Sequence, residues 1–343
     1  LFNFRPVYGV NDSGDDVFVE EIRFSSQLDG ALQFLVGLYF EDAEYKSDTP
    51  FLWGGQGPGA PTGMTNVKIS TEQTAFFGEL TYQFTDELST TLGLRHFEYD
   101  RHFQQLAVFF GTVFADVDAN KKEDGESYKL NLTYTPNEEV LVYGQWAEGF
   151  RLGKATSTSP LCDADLDGRL DDTGFAAPDG VNSDTSESFE IGIKSSWADN
   201  RVILNAALYR INWEGMPVSL PLPSCGGLVT LNSGDSKSEG VEVEIQTQLA
   251  DNLQLDIGMS YGEATLTEDA ENLGNSGDNL PGSSDFNASV GMEYRFNIAG
   301  YDAFTRADYT YISEYYNNIA SNGQAAGGYS QINLKAGIIV NAL

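Results

Sequence analysis

Apolar and polar residues alternate with a period of two along much of this chain. Val241, Val243, Ile245 and Leu249 alternate with Glu242, Glu244, Gln246 and Gln248. Leu253, Leu255, Ile257, Met259 and Tyr261 alternate with Gln254, Asp256, Gly258 and Ser260, and the same beat runs from Phe286 to Phe296. Successive side chains of a strand point to opposite faces, so each such segment has one apolar and one polar face. The pattern predicts thirteen strands, over 17–27, 31–45, 70–84, 88–101, 127–135, 140–150, 185–196, 201–217, 232–249, 253–265, 284–296, 303–315 and 329–340. Their connections are sorted. Six are short turns, at Leu28–Gly30, Thr85–Glu87, Pro136–Glu139, Trp197–Asn200, Ala250–Asn252 and 297–302; they alternate with six long polar loops, over 46–69, 102–126, 151–184, 218–231, 266–283 and 316–328. A soluble sandwich has no reason to sort its loops this way. A barrel crossing an outer membrane keeps short turns on the periplasmic side and long loops outside. Many of the strands run to eleven residues or more. Globular strands have about 5–6 residues, and a membrane strand needs about 9–11. The expected fold is therefore all-β, an antiparallel transmembrane β-barrel.

Composition supports this reading. No stretch reaches the roughly 18 apolar residues of a membrane helix, which leaves a β-barrel open because only alternate residues meet lipid. Glu242, Glu244, Glu293 and Arg295 on the polar faces would be costly in a dry core and are natural on a wet lumen wall. Net charge is −32, from 51 acidic and 19 basic residues, which excludes nucleic acid as a partner because phosphate would be repelled. The acids read as solvated loops, with divalent cations bridging to anionic headgroups as the alternative. Strand direction adds a constraint. The first and last predicted strands run parallel, so thirteen antiparallel strands cannot close on themselves. The opening residues also lack the basic start and apolar run of a signal peptide. The expectation is a partial barrel over 1–343, belonging to a larger one.

Four phrases, in order, carry a resemblance. They are Tyr128–Tyr134 followed by Glu148-Gly-Phe-Arg151, then Glu187–Lys194, then Arg201–Trp213, and then Asn232-Ser-Gly through Gly240-Val-Glu-Val-Glu244. Together they resemble the barrel strands of TonB-dependent outer-membrane receptors, most strongly over 127–296. The resemblance implies a 22-stranded barrel closed by an N-terminal plug, with the plug, its TonB box and the final strands outside this sequence. It further implies high-affinity capture of a small-molecule ligand, by default a ferric siderophore or similar metal chelate, with cobalamin, haem and oligosaccharides open. Import would be driven by the TonB–ExbB–ExbD complex, from an outer membrane of phospholipid and lipopolysaccharide. A passive porin-like channel and a non-transporting adhesin barrel are the alternatives.

Candidate chemistry lies in the loops. Asp163-Ala-Asp165-Leu-Asp167-Gly168 matches the opening of an EF-hand-type calcium loop, in which carboxylates surround a hard cation and glycine permits the sharp turn. Asp171 fits position nine. Position twelve is Gly174 rather than glutamate, so Asp172 or Asp179 would have to substitute. Either Ca2+ orders this loop or it is an acidic, mobile one. Cys162 and Cys225 both fall in long loops and read as a disulfide if those loops are extracellular, or else as two free thiols. Phe51 and Trp53, in a Gly/Pro-rich aromatic stretch, are candidate ligand contacts, as are Phe109 and Phe110. Tyr315 and Tyr316 fit an interfacial aromatic girdle. Arg151 either meets an anionic ligand or the plug, or hydrogen-bonds along the lumen wall. His96 and His102 have no hydrolase partners nearby, and no catalytic role is expected.

Overall fold

The computed structural model describes residues 7–53, 62–155, 162–165, 167–172, 174, 176, 178, 180–225, 227–232, 234–270, 274–319 and 323–340. In chain order the strands are β1 (Val7–Gly9), β2 (Asp12–Ser25), β3 (Leu32–Trp53), β4 (Gly63–Gln83), β5 (Leu88–Phe109), β6 (Thr112–Asn137), β7 (Val140–Arg151), β8 (Lys154–Ala155), β9 (Gly180–Val181), β10 (Asp184–Trp197), β11 (Val202–Glu214), β12 (Pro217–Leu222), β13 (Gly227–Asn232), β14 (Ser236–Ala250), β15 (Leu253–Leu266), β16 (Phe286–Ile298), β17 (Tyr301–Ile312), β18 (Tyr315–Tyr316), β19 (Ala325–Ala326) and β20 (Tyr329–Ile339). Fourteen of them form one antiparallel sheet. β1 and β2 lie along the same side of β3, followed in order by β4, β5, β6, β7, β10, β11, β14, β15, β16, β17 and β20. β8–β9, β12–β13 and β18–β19 are separate hairpin pairs. Each of the thirteen predicted strands corresponds to a strand of the large sheet, and the sheet is an open segment of barrel wall whose first and last strands do not pair with each other.

Two predicted loops continue the strands of the large sheet, and a third, 218–231, is the separate β12–β13 hairpin. Over 46–69, β3 and β4 stay paired out to Phe51↔Gly63. Over 102–126, β5 and β6 stay paired to Phe109↔Thr112 and reverse through Phe110 and Gly111, whose φ angles are 50° and 79°. Two successive residues with positive φ form the turn whose twist matches that of the flanking strands. The sequence hid this hairpin for a physical reason. Above the membrane both faces of a strand meet water, so Asp116, Asp118, Lys122, Asp124 and Glu126 replace the apolar beat while the backbone ladder continues.

The two faces of the sheet differ along whole rows of cross-strand neighbours. Ile191, Leu208, Val241, Tyr261 and Phe286 are successive partners across five strands, and all lie on one face. Lys194, Asn205, Glu244, Gly258, Ser289, Thr310 and Gln331 form a row on the other. The apolar row is uncovered: Ile191 and Leu208 are 57% and 58% exposed. Leu92, Leu94, Leu130, Leu132 and Met292 extend the same belt. An apolar surface this continuous requires lipid, and the belt with its flanking Tyr and Trp residues is the outer face of a membrane barrel.

On the polar face, ion pairs reach across an intervening strand. Lys129 on β6 meets Glu79 on β4 at 3.0 Å, over Gly93 of β5. Arg306 on β17 meets Asp256 on β15 at 3.0 Å, over Gly291 of β16. A Cβ on Gly291 would sit 2.4 Å from the Arg306 guanidinium, which would have to shift to make room for it.

Candidate functional site

The long-loop end of the sheet carries a folded cap. The chain between β7 and β10 supplies Cys162 and Leu170, and the β12–β13 hairpin supplies Leu220, Leu222 and Val229. Leu266 at the top of β15 and Ala270 add to them, and Ile319 comes from the connection between β17 and β20. Leu170, Leu222 and Leu266 are essentially inaccessible to solvent. Four connections thus share one apolar core, and the Cys162–Cys225 disulfide joins two of them, across a sequence separation of 63. Polar contacts follow the same seams. Asp172 accepts hydrogen bonds from the backbone N–H and hydroxyl of Ser224, and Asn232 and Asn182 exchange two more.

The segment also docks on the polar face of the wall. The Phe97 and Phe150 rings stack at 3.5 Å with 6° between their planes. The buried Tyr99 hydroxyl accepts a hydrogen bond from Gly153 N–H at 2.8 Å and donates to Glu123 at 2.6 Å. Glu123 also accepts from the Ser183 hydroxyl and backbone N–H, and pairs with Lys121 at 3.0 Å. Burial, with Glu123 beside it, pushes the Tyr99 hydroxyl up to about 12. For Glu123, burial alone would raise the carboxyl. The donors from Ser183, Tyr99 and Lys121 outweigh it and hold the carboxyl below its ordinary range. Arg101 reaches the Gly153 carbonyl at 3.5 Å, and its Nε is buried without a hydrogen-bond partner among the described residues.

The sequence candidates fall into this frame unevenly. Arg151 pairs with Asp184 through two hydrogen bonds, of 3.0 and 2.8 Å, and lies 5.2 Å over the Trp213 ring. Trp213 Nε1–H donates to the same carboxylate. The Arg151 charge is therefore committed to strand-to-strand contact. Asp163, Asp165 and Asp171 bring carboxylate oxygens within 4.8 Å of one another. Asp163 accepts the backbone N–H groups of Asp167 and Gly168, and Asp171 accepts that of Ala164. Asp167 stands apart and caps Arg169 N–H at 2.8 Å. Of the two suggested substitutes, Asp172 is engaged by Ser224, and Asp179 lies outside the described residues. The cysteine sulfurs are 1.99 Å apart. Phe51 packs against Phe109 at 4.9 Å, at the far ends of β3 and β5; the Trp53 side chain lies outside the described residues. His96 and His102 each face a carboxylate, Glu126 and Asp118, rather than each other.

What sequence reasoning missed is the shared loop core. Leu220, Leu222, Leu228, Val229 and Leu231 make 218–231 the most apolar of the predicted loops, and that was the available signal.

The TonB dependent receptor-like β-barrel family model matches residues 2–341. A probable TonB-dependent siderophore receptor, PiuA of Acinetobacter baumannii, is 24% identical over 189 residues, which are 55% of this chain and 23% of that protein. The ferric-pyoverdine M114 receptor PbuA of a Pseudomonas strain is 24% identical over 193 residues, 55% of this chain and 21% of that protein. Among solved structures, the ferric yersiniabactin uptake receptor FyuA of Yersinia pestis superimposes with a TM-score of 0.79 at 19% identity, over 97% of this chain and 48% of that one. The chain thus spans under a quarter of the length of these curated relatives and about half of the solved structure. With the family model matched over nearly its whole length, and with the wall it describes seen strand by strand, this chain belongs to the TonB dependent receptor-like β-barrel family.

Proposed function

We propose that this chain is the barrel wall of an outer-membrane receptor of a Gram-negative bacterium that imports a ferric siderophore or a similar metal chelate. The observation that carries the reading is the cap: four connections with one core and a disulfide, standing on a wall with a lipid-facing belt and an ion-paired lumen. Loops fixed against one another offer a pre-shaped surface, and binding to it spares the entropy of ordering mobile chain. The named relatives, a siderophore receptor and a pyoverdine receptor, support the ligand class. In this reading the TonB–ExbB–ExbD complex pulls on a plug domain lying outside this chain. The belt meets outer-membrane lipid and lipopolysaccharide, and the role is transport rather than catalysis. Within the cap, Asp163, Asp165 and Asp171 would order the segment around one Ca2+, with Asp167 outside the ligand set. The experiment is expression and binding. Iron starvation should induce the protein, and its deletion should abolish saturable binding of a radiolabelled ferric siderophore to cells. Induction by a carbohydrate and not by iron starvation would sink the ligand class.

A further inference from the structure

Among the described residues, β6 has a long unpaired edge above the membrane. It pairs with β5 up to Phe109↔Thr112, but with β7 only as far as Lys129↔Ala147. Above that point β7 pairs with β10 alone, up to Arg151↔Asp184. The wall therefore splits between β6 and β7. Tyr128 N–H points into the split, where it reaches the Glu148 carboxylate at 3.1 Å. In an extended strand alternate residues present their N–H and C=O to the same edge. Glu126, Asp124, Lys122, Asn120 and Asp118 thus present theirs toward the split. Among the described residues, no hydrogen bond to these N–H groups from a third strand or a side chain is found.

The foot of the split is a cleft of about 530 Å³. Glu126, Glu148, Glu187 and Glu214 line it beside the Phe97 and Phe150 rings, and among the described residues no Lys or Arg lines it. The two lysines beside the edge are already paired, Lys121 with Glu123 and Lys122 with Asp100. The unneutralised charge along this edge is therefore negative. A free strand edge is a template for another strand, and a partner bound this way gains affinity from its backbone and specificity from side-chain pockets.

We propose that the β6 edge over Asp118–Tyr128 is a strand-addition site for an extended, basic polypeptide segment arriving from outside the cell. The segment adds to the wall as one further strand and places a Lys or Arg in the carboxylate cleft at its foot. The split and its charges make this site whatever the receptor transports.

The test uses the full receptor in detergent and a capped peptide matching Asp118–Tyr128 in length, alternating Thr with Val and Lys. Two control peptides carry N-methyl groups on alternate residues, or Glu in place of Lys. The lysine peptide should bind saturably, and either control should bind at least about ten-fold more weakly. Asp124→Pro removes one edge N–H and leaves the ladder to β5 intact, so it should weaken the lysine peptide about ten-fold. Asn120→Pro serves the same purpose if Asp124→Pro does not fold. Glu148→Gln with Glu187→Gln should weaken the lysine peptide several-fold and should not weaken the glutamate peptide, whose repulsion by the cleft it relieves. Equal affinity for the N-methylated and parent peptides would overturn the proposal. So would a proline variant that binds normally, or a concentration-dependent dimer that buries this edge against a second copy.

Discussion

Removing the Cys162–Cys225 disulfide should loosen the cap and leave the wall untouched, by an amount that the topology sets. The two cysteines lie 63 residues apart in sequence, and closing a loop of that length in an unfolded chain costs about 4 kcal/mol. Most of that chain is not free when the cap opens. β7, β10 and β11 remain paired at Arg151↔Asp184 and Thr185↔Glu214, so the loose segments are only 152–162 and 215–225. Together they are roughly 22 residues, which lowers the stabilisation to about 3 kcal/mol. In a Cys162→Ser, Cys225→Ser double variant, amide exchange within β13 should therefore speed up by about a hundred-fold. Amides of β10 and β11, and the heat-dependent gel mobility of the barrel, should not change. The reasoning fails if β13 exchange is unaltered. It also fails if the wall loosens with the cap, because the cap would then not be a separate unit.

Leu222→Ala should cost the cap about 2–5 kcal/mol, the range for a fully buried leucine, and faster protease cleavage in 215–235 would report it. Arg151→Ala leaves Asp184, only 5% exposed, without its double hydrogen bond; local stability around the tops of β7 and β10 should fall by about 2 kcal/mol, measured by exchange at Thr185–Glu187. The folded state favours the Glu123 anion more than the unfolded chain does. Its stabilisation is therefore complete above the ordinary carboxylate range and is lost as pH falls through the lowered value. Protection of the Gly153 and Ser183 amides, relative to their intrinsic exchange rates, should fall in acid below about pH 4, and Glu123→Gln should remove that step. Calorimetry at millimolar calcium should show heat for the receptor that Asp163→Ala abolishes; silence in both would exclude the calcium site.

How far the sequence could be read depends on which surface a residue meets. Where one face met lipid, as in Val241–Leu249 and Phe286–Phe296, alternation located the strands and their faces. Where both faces met water, as in Thr112–Glu126, the hydrophobic signal vanished and a hairpin passed for a loop. The two cysteines were legible as a pair, and Asp163, Asp165 and Asp171 as neighbours. The cap core was not, because Leu170, Leu222, Ala270 and Ile319 come from four connections whose convergence is set by strand order rather than by any local pattern. Arg151 illustrates a second limit. Its position after Gly149-Phe150 marked it as a lumen residue, but only the register with Asp184 and the Trp213 ring reveal that its charge is already taken.

The central claim is that this wall belongs to a receptor that imports a metal chelate with energy from the inner membrane. The most direct measurement is uptake of an iron-55 siderophore by cells carrying the full protein, compared with a deletion strain, with and without an uncoupler of the proton gradient. The account predicts saturable uptake that disappears in the deletion strain and on uncoupling, while surface binding survives uncoupling. Uptake that rises linearly with ligand and is indifferent to the uncoupler would contradict it and mark the barrel as a passive channel.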